Sequence, residues 1–301
     1  MTRIAVIDIG TNSTRLLIAG VDSSGAVSPL VRRSTVTRLG DGVDASGSLS
    51  EEAISRVLRT LDGYCTEITA YDCAANLAVL TSAVRDASNG AAFTERVRED
   101  FSLDARTLSG DEEAQLTFLG AMHDREPSEE PCVVIDIGGG STEFIVGHNS
   151  TATFHVSLPA GVVRMSERHI KSDPPAPSEL QSLALDVRTI FLEGLPPEER
   201  SPVTEGIAVA GTATSAASID QELDPYDPSR VHGYPLLLAR LADMTEAQRR
   251  AVAGLHPDRA PTIVAGMILL SEALRAFELD CVEVSDHDIL FGGALRLAGL
   301  A

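Results

Sequence analysis

The sequence contains no tryptophan, and aromatic residues make up only 4% of its 301 residues. It also has no long hydrophobic run, since its longest apolar stretches, such as the one at 263–270, are far shorter than the ~20 residues that a membrane-spanning helix needs. The N-terminal MTRIAVIDIG leads directly into a strand-like run and lacks the pattern of a cleavable signal. These absences predict a soluble cytoplasmic protein without a membrane partner.

Cysteine and histidine are too scattered to predict a zinc site. Zinc ligands are normally closely spaced, and the chain has no CxxC, HxxxH or HExxH pattern. We therefore expect the cysteines to be reduced and mostly buried. They are Cys65, Cys73, Cys132 and Cys281.

Positive charge is also scarce: 44 acidic residues against 24 basic ones give a formal net charge of −20. Such a charge repels nucleic acid and argues against a general polyanion-binding surface. Lys171 is the single lysine, which indicates a compositional preference for arginine. Arginine also binds phosphate with two parallel hydrogen bonds, so the arginines near glycine loops remain candidate ligands.

What the sequence does contain is a repeat. Residues 5–18 read AVIDIGTNSTRLLI and residues 133–146 read VVIDIGGGSTEFIV. A shift of 128 positions places Ile7, Asp8, Ile9, Gly10, Ser13 and Thr14 on Ile135, Asp136, Ile137, Gly138, Ser141 and Thr142. An acidic residue, a glycine and a Ser-Thr pair in register predict a duplication into two related halves.

Both halves mix strands with helices, which predicts α/β domains with a ligand cleft between them. The polar link at 124–131 is the best boundary, giving domains 1–126 and 127–301, with the last helix free to pack on the first domain. Residues 76–84 are predicted as a strand, and residues 207–215 as a strand ending in a glycine turn. Helices are expected at 51–69 and after Ser109, where Glu112 completes a capping box.

Each copy of the repeat places an aspartate at a strand end, then a glycine turn, then hydroxyl residues. Asp8 and Asp136 could hold a hydrated magnesium ion, and the turn could surround phosphate oxygens with N–H and hydroxyl groups. An ordinary hairpin turn is the alternative, although it explains two registered copies poorly. The candidate phosphate ligands are Gly10, Thr11, Asn12, Ser13, Gly138, Gly139, Gly140, Ser141 and Thr142.

The two copies differ where Arg15 aligns with Glu143. Arg15 is a cation suited to phosphate, whereas Glu143 is a second acid suited to a metal. Arg85, just past a strand, is a further candidate for an anion, as are Gly211 and Thr212 in a second glycine–hydroxyl turn. The acidic triplet 111–113 lies in the first turn of its helix, where stabilisation of the helix dipole explains it without any catalysis.

A set of motifs in order resembles the exopolyphosphatase/guanosine pentaphosphate phosphohydrolase family over nearly the whole chain. The motifs are DIGTNSTRLLI, TSAVRDASN, LSGDEEAQLTFLG, DIGGGSTEF, SLPAGVVRMSE, AGTATSAA and VHGYPLLL. The resemblance implies two duplicated domains of the actin-like, sugar-kinase-like (ribonuclease H-like) superfold, each with one phosphate loop. It also implies magnesium-dependent, or manganese-dependent, removal of a terminal phosphate, and a homodimer.

By motif position, the resemblance makes Glu113 the catalytic base that takes a proton from the attacking water. It makes Asp136 and Glu143 the acidic residues associated with the metal, with Asp8 as a further candidate, and Arg85 the family arginine. The leading hypothesis is an exopolyphosphatase. The alternatives are hydrolysis of guanosine pentaphosphate, a phosphotransferase of the same superfold, and a non-catalytic sensor of polyphosphate or alarmone.

Two departures from the family pattern bear on the substrate. Some members carry a long C-terminal helical region, whereas this chain stops at Ala301, and together with the charge of −20 this favours short polyphosphate chains. Residues 284–293 read VSDHDILFGG where many members read closer to GLREG, so an arginine that could help at the site is missing. The scarcity of aromatic residues leaves no clear shelf for a nucleobase, which favours polyphosphate over the nucleotide.

Overall fold

The computed structural model describes residues 1–23, 26–123, 125–126, 128–149, 151–223, 225 and 241–299. Within it the chain forms two compact units. The first unit comprises Met1–His123 and His287–Ala301, and the second comprises Asp124–Asp286. The motif VHGYPLLL, at 231–238, lies outside the described residues.

The elements are numbered along the chain. The strands are β1 (Thr2–Ile9), β2 (Ser13–Val21), β3 (Val27–Val36), β4 (Ala75–Leu80), β5 (Ala105–Thr107), β6 (Cys132–Ile137), β7 (Thr142–His148), β8 (Thr151–Leu158), β9 (Glu205–Val209) and β10 (Glu283–Val284). The helices of the first unit are α1 (Val43–Ser46), α2 (Glu51–Ala70), α3 (Ser82–Asp86), α4 (Gly90–Phe101) and α5 (Gly110–Met122). Those that follow are α6 (Val162–His169), α7 (Pro177–Gly194), α8 (Pro197–Arg200), α9 (Ala210–Asp220), α10 (Glu246–Arg249), α11 (Ile263–Ala276) and, back in the first unit, α12 (Ile289–Leu297).

The two units have the same sheet topology. In the first, the strand order is β3-β2-β1-β4-β5, with β1, β2 and β3 antiparallel and β4 and β5 parallel to β1. In the second, the order β8-β7-β6-β9-β10 repeats both the sequence of strands and their directions. Asp8 pairs with Arg15 in the first sheet as Asp136 pairs with Glu143 in the second. The predicted duplicated α/β fold is confirmed.

The central strand β1 is continuously apolar from Ile4 to Ile7, which suits a strand with helices on both of its faces. Ile7 and Ile9 pack in a core with α2, whereas Val6 on the opposite face packs with Phe291 and Leu295 of α12. In the second unit, α11 is buried along almost its whole length and packs with β6. Its apolar sequence is therefore that of a core helix.

Two predicted strands end early, and a helix follows each. β4 stops at Leu80 because its partner β1 ends at the paired Ile9, and α3 begins two residues later. β9 stops at Val209, and Ala210 starts α9 with a left-handed φ of 61°. The predicted glycine turn at 211–215 was therefore wrong, since these small residues form the first turns of a helix. α6 was not predicted.

Other elements agree with the sequence. Ser50 caps α2, and the capping box of Ser109 and Glu112 opens α5. The four cysteines, all among the described residues, form no disulfide. Cys132 alone is buried, whereas Cys65 and Cys73 are half-buried and Cys281 is exposed, so the prediction that most are buried was wrong. The last helix, α12, packs on α5, where Gly120 lies directly against the backbone of Asp288. Among the described helices, none combines the length and apolar character needed to cross a membrane.

Candidate active site

The first glycine loop joins β1 to β2 at residues 10–13, and a backing segment, residues 37–40, holds its carbonyl groups. Asn12 O accepts hydrogen bonds from the N–H groups of Thr37 (3.0 Å) and Arg38 (2.9 Å), and Thr11 O accepts one from Gly40 N (2.8 Å). In a trans peptide the C=O of one residue and the N–H of the next point in opposite directions. Fixing these carbonyls therefore turns the N–H groups of Asn12 and Ser13 to the other side of the loop.

The second loop, residues 138–141, is held in the same way by the start of α6. Gly138 O and Gly139 O accept hydrogen bonds from Val162 N and Val163 N, each at 2.9 Å. Gly140 O accepts one from Arg164 Nε at 2.8 Å.

The same peptide geometry turns the N–H groups of Gly139, Gly140 and Ser141 away from α6. Gly161 allows this approach, because a Cβ there would overlap the backbone of Gly139. Each loop can therefore present N–H donors to an anion of its own unit. The sequence analysis did not identify Gly161 or α6, although SLPAGVVRMSE was among its motifs.

In the first unit, α3 is hydrogen-bonded to the first glycine loop at one end and to the predicted base at the other. Thr11 Oγ1 lies 3.0 Å from Ser82 Oγ at the start of α3. Arg85 at the other end of α3 donates from Nη1 to Glu113 Oε2 at 2.8 Å and to Leu108 O at 3.1 Å. The structure thus brings together three residues that the sequence analysis had singled out separately.

Glu113 differs from its neighbours in the acidic triplet. Asp111 and Glu112 are exposed, and Glu112 serves the capping box. The Glu113 side chain is only 13% exposed. Its burial raises the pKa above the ordinary 4.5, Arg85 opposes that rise, and the nearby Asp8 carboxylate adds to it. Helix capping accounts for Glu112, and the position of Glu113 suits a general base.

Arg15, which is predicted as a phosphate ligand, contacts two carboxylates. Its Nε and Nη2 donate to Asp8 Oδ2 at 2.9 and 2.6 Å, and its Nη1 donates to Asp288 Oδ2. Asp288 also caps α12, because its Oδ1 accepts from Leu290 N at 3.0 Å. Residues 284–293 stood out in the sequence for a missing arginine, and no role was predicted for Asp288.

Asp136 and Glu143 are direct neighbours across the antiparallel pair of β6 and β7. Glu143 Oε1 accepts hydrogen bonds from Ser141 Oγ at 2.5 Å and from Ser157 Oγ at 2.8 Å, which fix the orientation of the carboxylate. Ser157 is a further residue that the sequence analysis missed.

The described His, Cys, Asp and Glu side chains form no group of three or more that could hold a metal ion. Magnesium, however, is usually bound by one or two carboxylates together with water and phosphate oxygens, and Asp136 with Glu143 fits that requirement. Asp8 also fits in part: its Oδ1 is buried and has no hydrogen-bond partner among the described residues.

Gly211 and Thr212, the remaining predicted phosphate ligands, lie in the first turn of α9. Thr212 is buried, and its hydroxyl points to Ile137 O at the end of β6 (3.4 Å). The guanidinium of Arg259 lies against the backbone of Gly211, where a Cβ would overlap it. The role of these two residues in phosphate binding stays a prediction.

Comparisons with known proteins agree with the motifs. The sequence matches the Ppx/GppA phosphatase family over residues 17–292. It is 37% identical to exopolyphosphatase 2 of Mycobacterium tuberculosis, covering 99% of both chains. The crystal structure of the Aquifex aeolicus member of the Ppx/GppA family is 30% identical with a TM-score of 0.81, covering 99% of this chain and 97% of that one. An exopolyphosphatase from Cytophaga hutchinsonii is 27% identical with a TM-score of 0.87, covering 100% and 99%.

Proposed function

Because the chain belongs to the Ppx/GppA phosphatase family, as its motifs predicted, we propose that it is an exopolyphosphatase that releases terminal orthophosphate from inorganic polyphosphate. The observation that carries this proposal is the path in the first unit from the phosphate loop through α3 to Glu113. It links a loop with donors for a phosphate to a carboxylate base through the two ends of one short helix.

Phosphoryl transfer depends mainly on positioning and on stabilising charge at the phosphate oxygens. The N–H groups that the two loops turn away from their backing segments are suited to these oxygens. Glu113 takes a proton from the attacking water, and Arg85 fixes the orientation of the Glu113 carboxylate. A base in position contributes about 10²–10⁴-fold to the rate.

We assign the magnesium ion to Asp136 and Glu143, with Asp8 as an additional candidate. When bound, the ion would neutralise charge on the phosphate oxygens. Asp136 and Glu143 would present carboxylate oxygens to the ion. Ser141 and Ser157 orient the carboxylate of Glu143. Manganese has the same preference for oxygen ligands and could replace magnesium.

We also propose that short polyphosphate chains are preferred. The support is the net charge of −20, since a long polyanion meets more unfavourable potential away from the site than a short one. A homodimer, as the resemblance implies, is proposed as well and is tested by analytical ultracentrifugation.

The function is tested by phosphate release with magnesium from short polyphosphate, long polyphosphate and guanosine pentaphosphate in parallel. We expect release from the short chain to fall by at least about 10²-fold in Glu113→Gln. Glu112→Gln is the matched control: glutamine also satisfies the capping box, so turnover should persist.

Each other outcome supports a different function. Release from guanosine pentaphosphate alone would assign the chain to nucleotide hydrolysis. A requirement for an acceptor molecule would indicate a phosphotransferase. Binding without release in the wild-type protein would indicate a sensor. Equal release by the wild-type protein and Glu113→Gln would contradict the assigned base.

A further inference from the structure

Arg15 is held between two buried carboxylates that come from distant parts of the first unit. Asp8 lies at the end of β1 and Asp288 at the start of α12, and their side chains are only 7% and 8% exposed. All three nitrogen atoms of the guanidinium donate to these two residues. Such charge-assisted hydrogen bonds are stronger in a buried site than in water.

This arrangement conflicts with direct phosphate binding by Arg15. Arginine recognises phosphate through two parallel N–H donors, and here three of the five guanidinium N–H groups, one on each nitrogen, already serve carboxylates. Asp8, Arg15 and Asp288 together also carry a net charge of −1 rather than the +1 of a lone arginine. A phosphate approaching Arg15 would have to compete with both carboxylates, whose negative charges oppose its approach.

We propose that Asp288 limits the affinity for phosphate, because it withholds Arg15 from the substrate and keeps it on Asp8. The proposal rests on the proposed function in so far as the substrate is a phosphate chain. If Asp288 acts in this way, the protein binds a free polyanion more weakly than it would if Arg15 were available to the phosphate.

The variant Asp288→Asn separates charge from structure. Asparagine caps a helix about as well as aspartate, so its Oδ1 can still accept from Leu290 N. It removes only the negative charge that binds Arg15 Nη1. The net charge of the trio then becomes zero, and one edge of the guanidinium becomes available to a phosphate.

The test is a double-mutant cycle with inorganic tripolyphosphate, whose binding is measured by isothermal titration calorimetry at fixed magnesium. The four proteins carry Glu113→Gln, to prevent turnover, alone or with Asp288→Asn, Arg15→Gln or both. Asp288→Asn should tighten binding by about three- to tenfold, the size of one partly screened charge-assisted hydrogen bond. Arg15→Gln should cost at least about threefold more in affinity when Asp288→Asn is present than when it is absent.

An affinity unchanged or weakened by Asp288→Asn, at an unchanged melting temperature, overturns the proposal, as does an equal effect of Arg15→Gln in both backgrounds. If Asp288→Asn does not fold, Arg15→Gln alone decides: a loss below about threefold supports the proposal, and a loss of tenfold or more shows that Arg15 already binds phosphate. Binding does not depend on hydrolysis. A wild-type protein without phosphatase activity would therefore contradict the proposed function and leave this result standing.

Discussion

At the scale of single residues, the environment of Glu113 determines the pH range over which this carboxylate could act as a base. Burial raises the pKa of its carboxyl group above 4.5, and the ion pair with Arg85 limits that rise. A general base is active only when deprotonated, so kcat/KM should fall as the pH decreases through this raised pKa. The loss should occur at a higher pH than for an exposed glutamate, which a pH–rate profile on short polyphosphate measures.

Arg85→Gln removes the ion pair that opposes the effect of burial on the pKa of Glu113. Without the guanidinium, the pKa of Glu113 should rise further, so the acid limb of the profile should move to higher pH while kcat also decreases. Arg96→Gln is the control, since Arg96 forms only an exposed pair with Asp100 among the contacts described. An acid limb that stays in place or moves to lower pH in Arg85→Gln would mean that Arg85 does not stabilise the Glu113 carboxylate.

At the scale of elements, the backing segment 37–40 depends on α2. Arg56 on that helix donates from Nε to Thr37 O (2.7 Å) and from Nη2 to Arg38 O (3.0 Å), while the N–H groups of the same two residues bind Asn12 O. Arg38 has a left-handed φ of 49°, which a non-glycine residue adopts only when its surroundings hold it there. Arg56 thus positions the first glycine loop through the backing segment.

We therefore expect Arg56→Gln to lower kcat/KM by about three- to tenfold, mainly through a higher KM, because the loop loses its fixed geometry. Arg59→Gln, three residues along the same helix and exposed, should leave both constants close to wild type. Steady-state kinetics on short polyphosphate, with melting temperatures recorded for both variants, provide the comparison. Equal effects of the two substitutions would contradict a positioning role for Arg56.

The elements also show how far the sequence could predict the structure. β1 and β6 were predictable because their apolar runs repeat in register, and α2 because Ser50 marks its start. The start of α9 was not predictable, because it depends on where β9 loses its pairing with β6 and not on the sequence of the helix itself. The pair of Arg15 and Asp288 joins residues 273 positions apart, so no local spacing could indicate it. By contrast, the catalytic role of Glu113 stays a prediction that rests on family resemblance, since the acidic triplet alone has a helix-capping explanation.

At the scale of the whole molecule, the charge of −20 predicts an unusual salt dependence. The Debye length shrinks from about 30 Å at 0.01 M to about 8 Å at 0.15 M ionic strength. Added monovalent salt should therefore screen repulsion of a long chain more than of a short one. At fixed magnesium, the ratio of kcat/KM for long to short polyphosphate should start below one and rise with salt. A ratio independent of salt would remove charge as the cause of any chain-length preference.

The membership of α12 in the first unit has a consequence for how the protein is made. A ribosome synthesises residues 1–123 first, yet the helix that covers one face of β1 emerges only after the whole second unit. Until then, Val6 and Leu17 lack the apolar partners Phe291 and Leu295 that bury them. The unit that begins the chain is thus the last to be completed, and its nascent form exposes an apolar sheet face on which a chaperone could act.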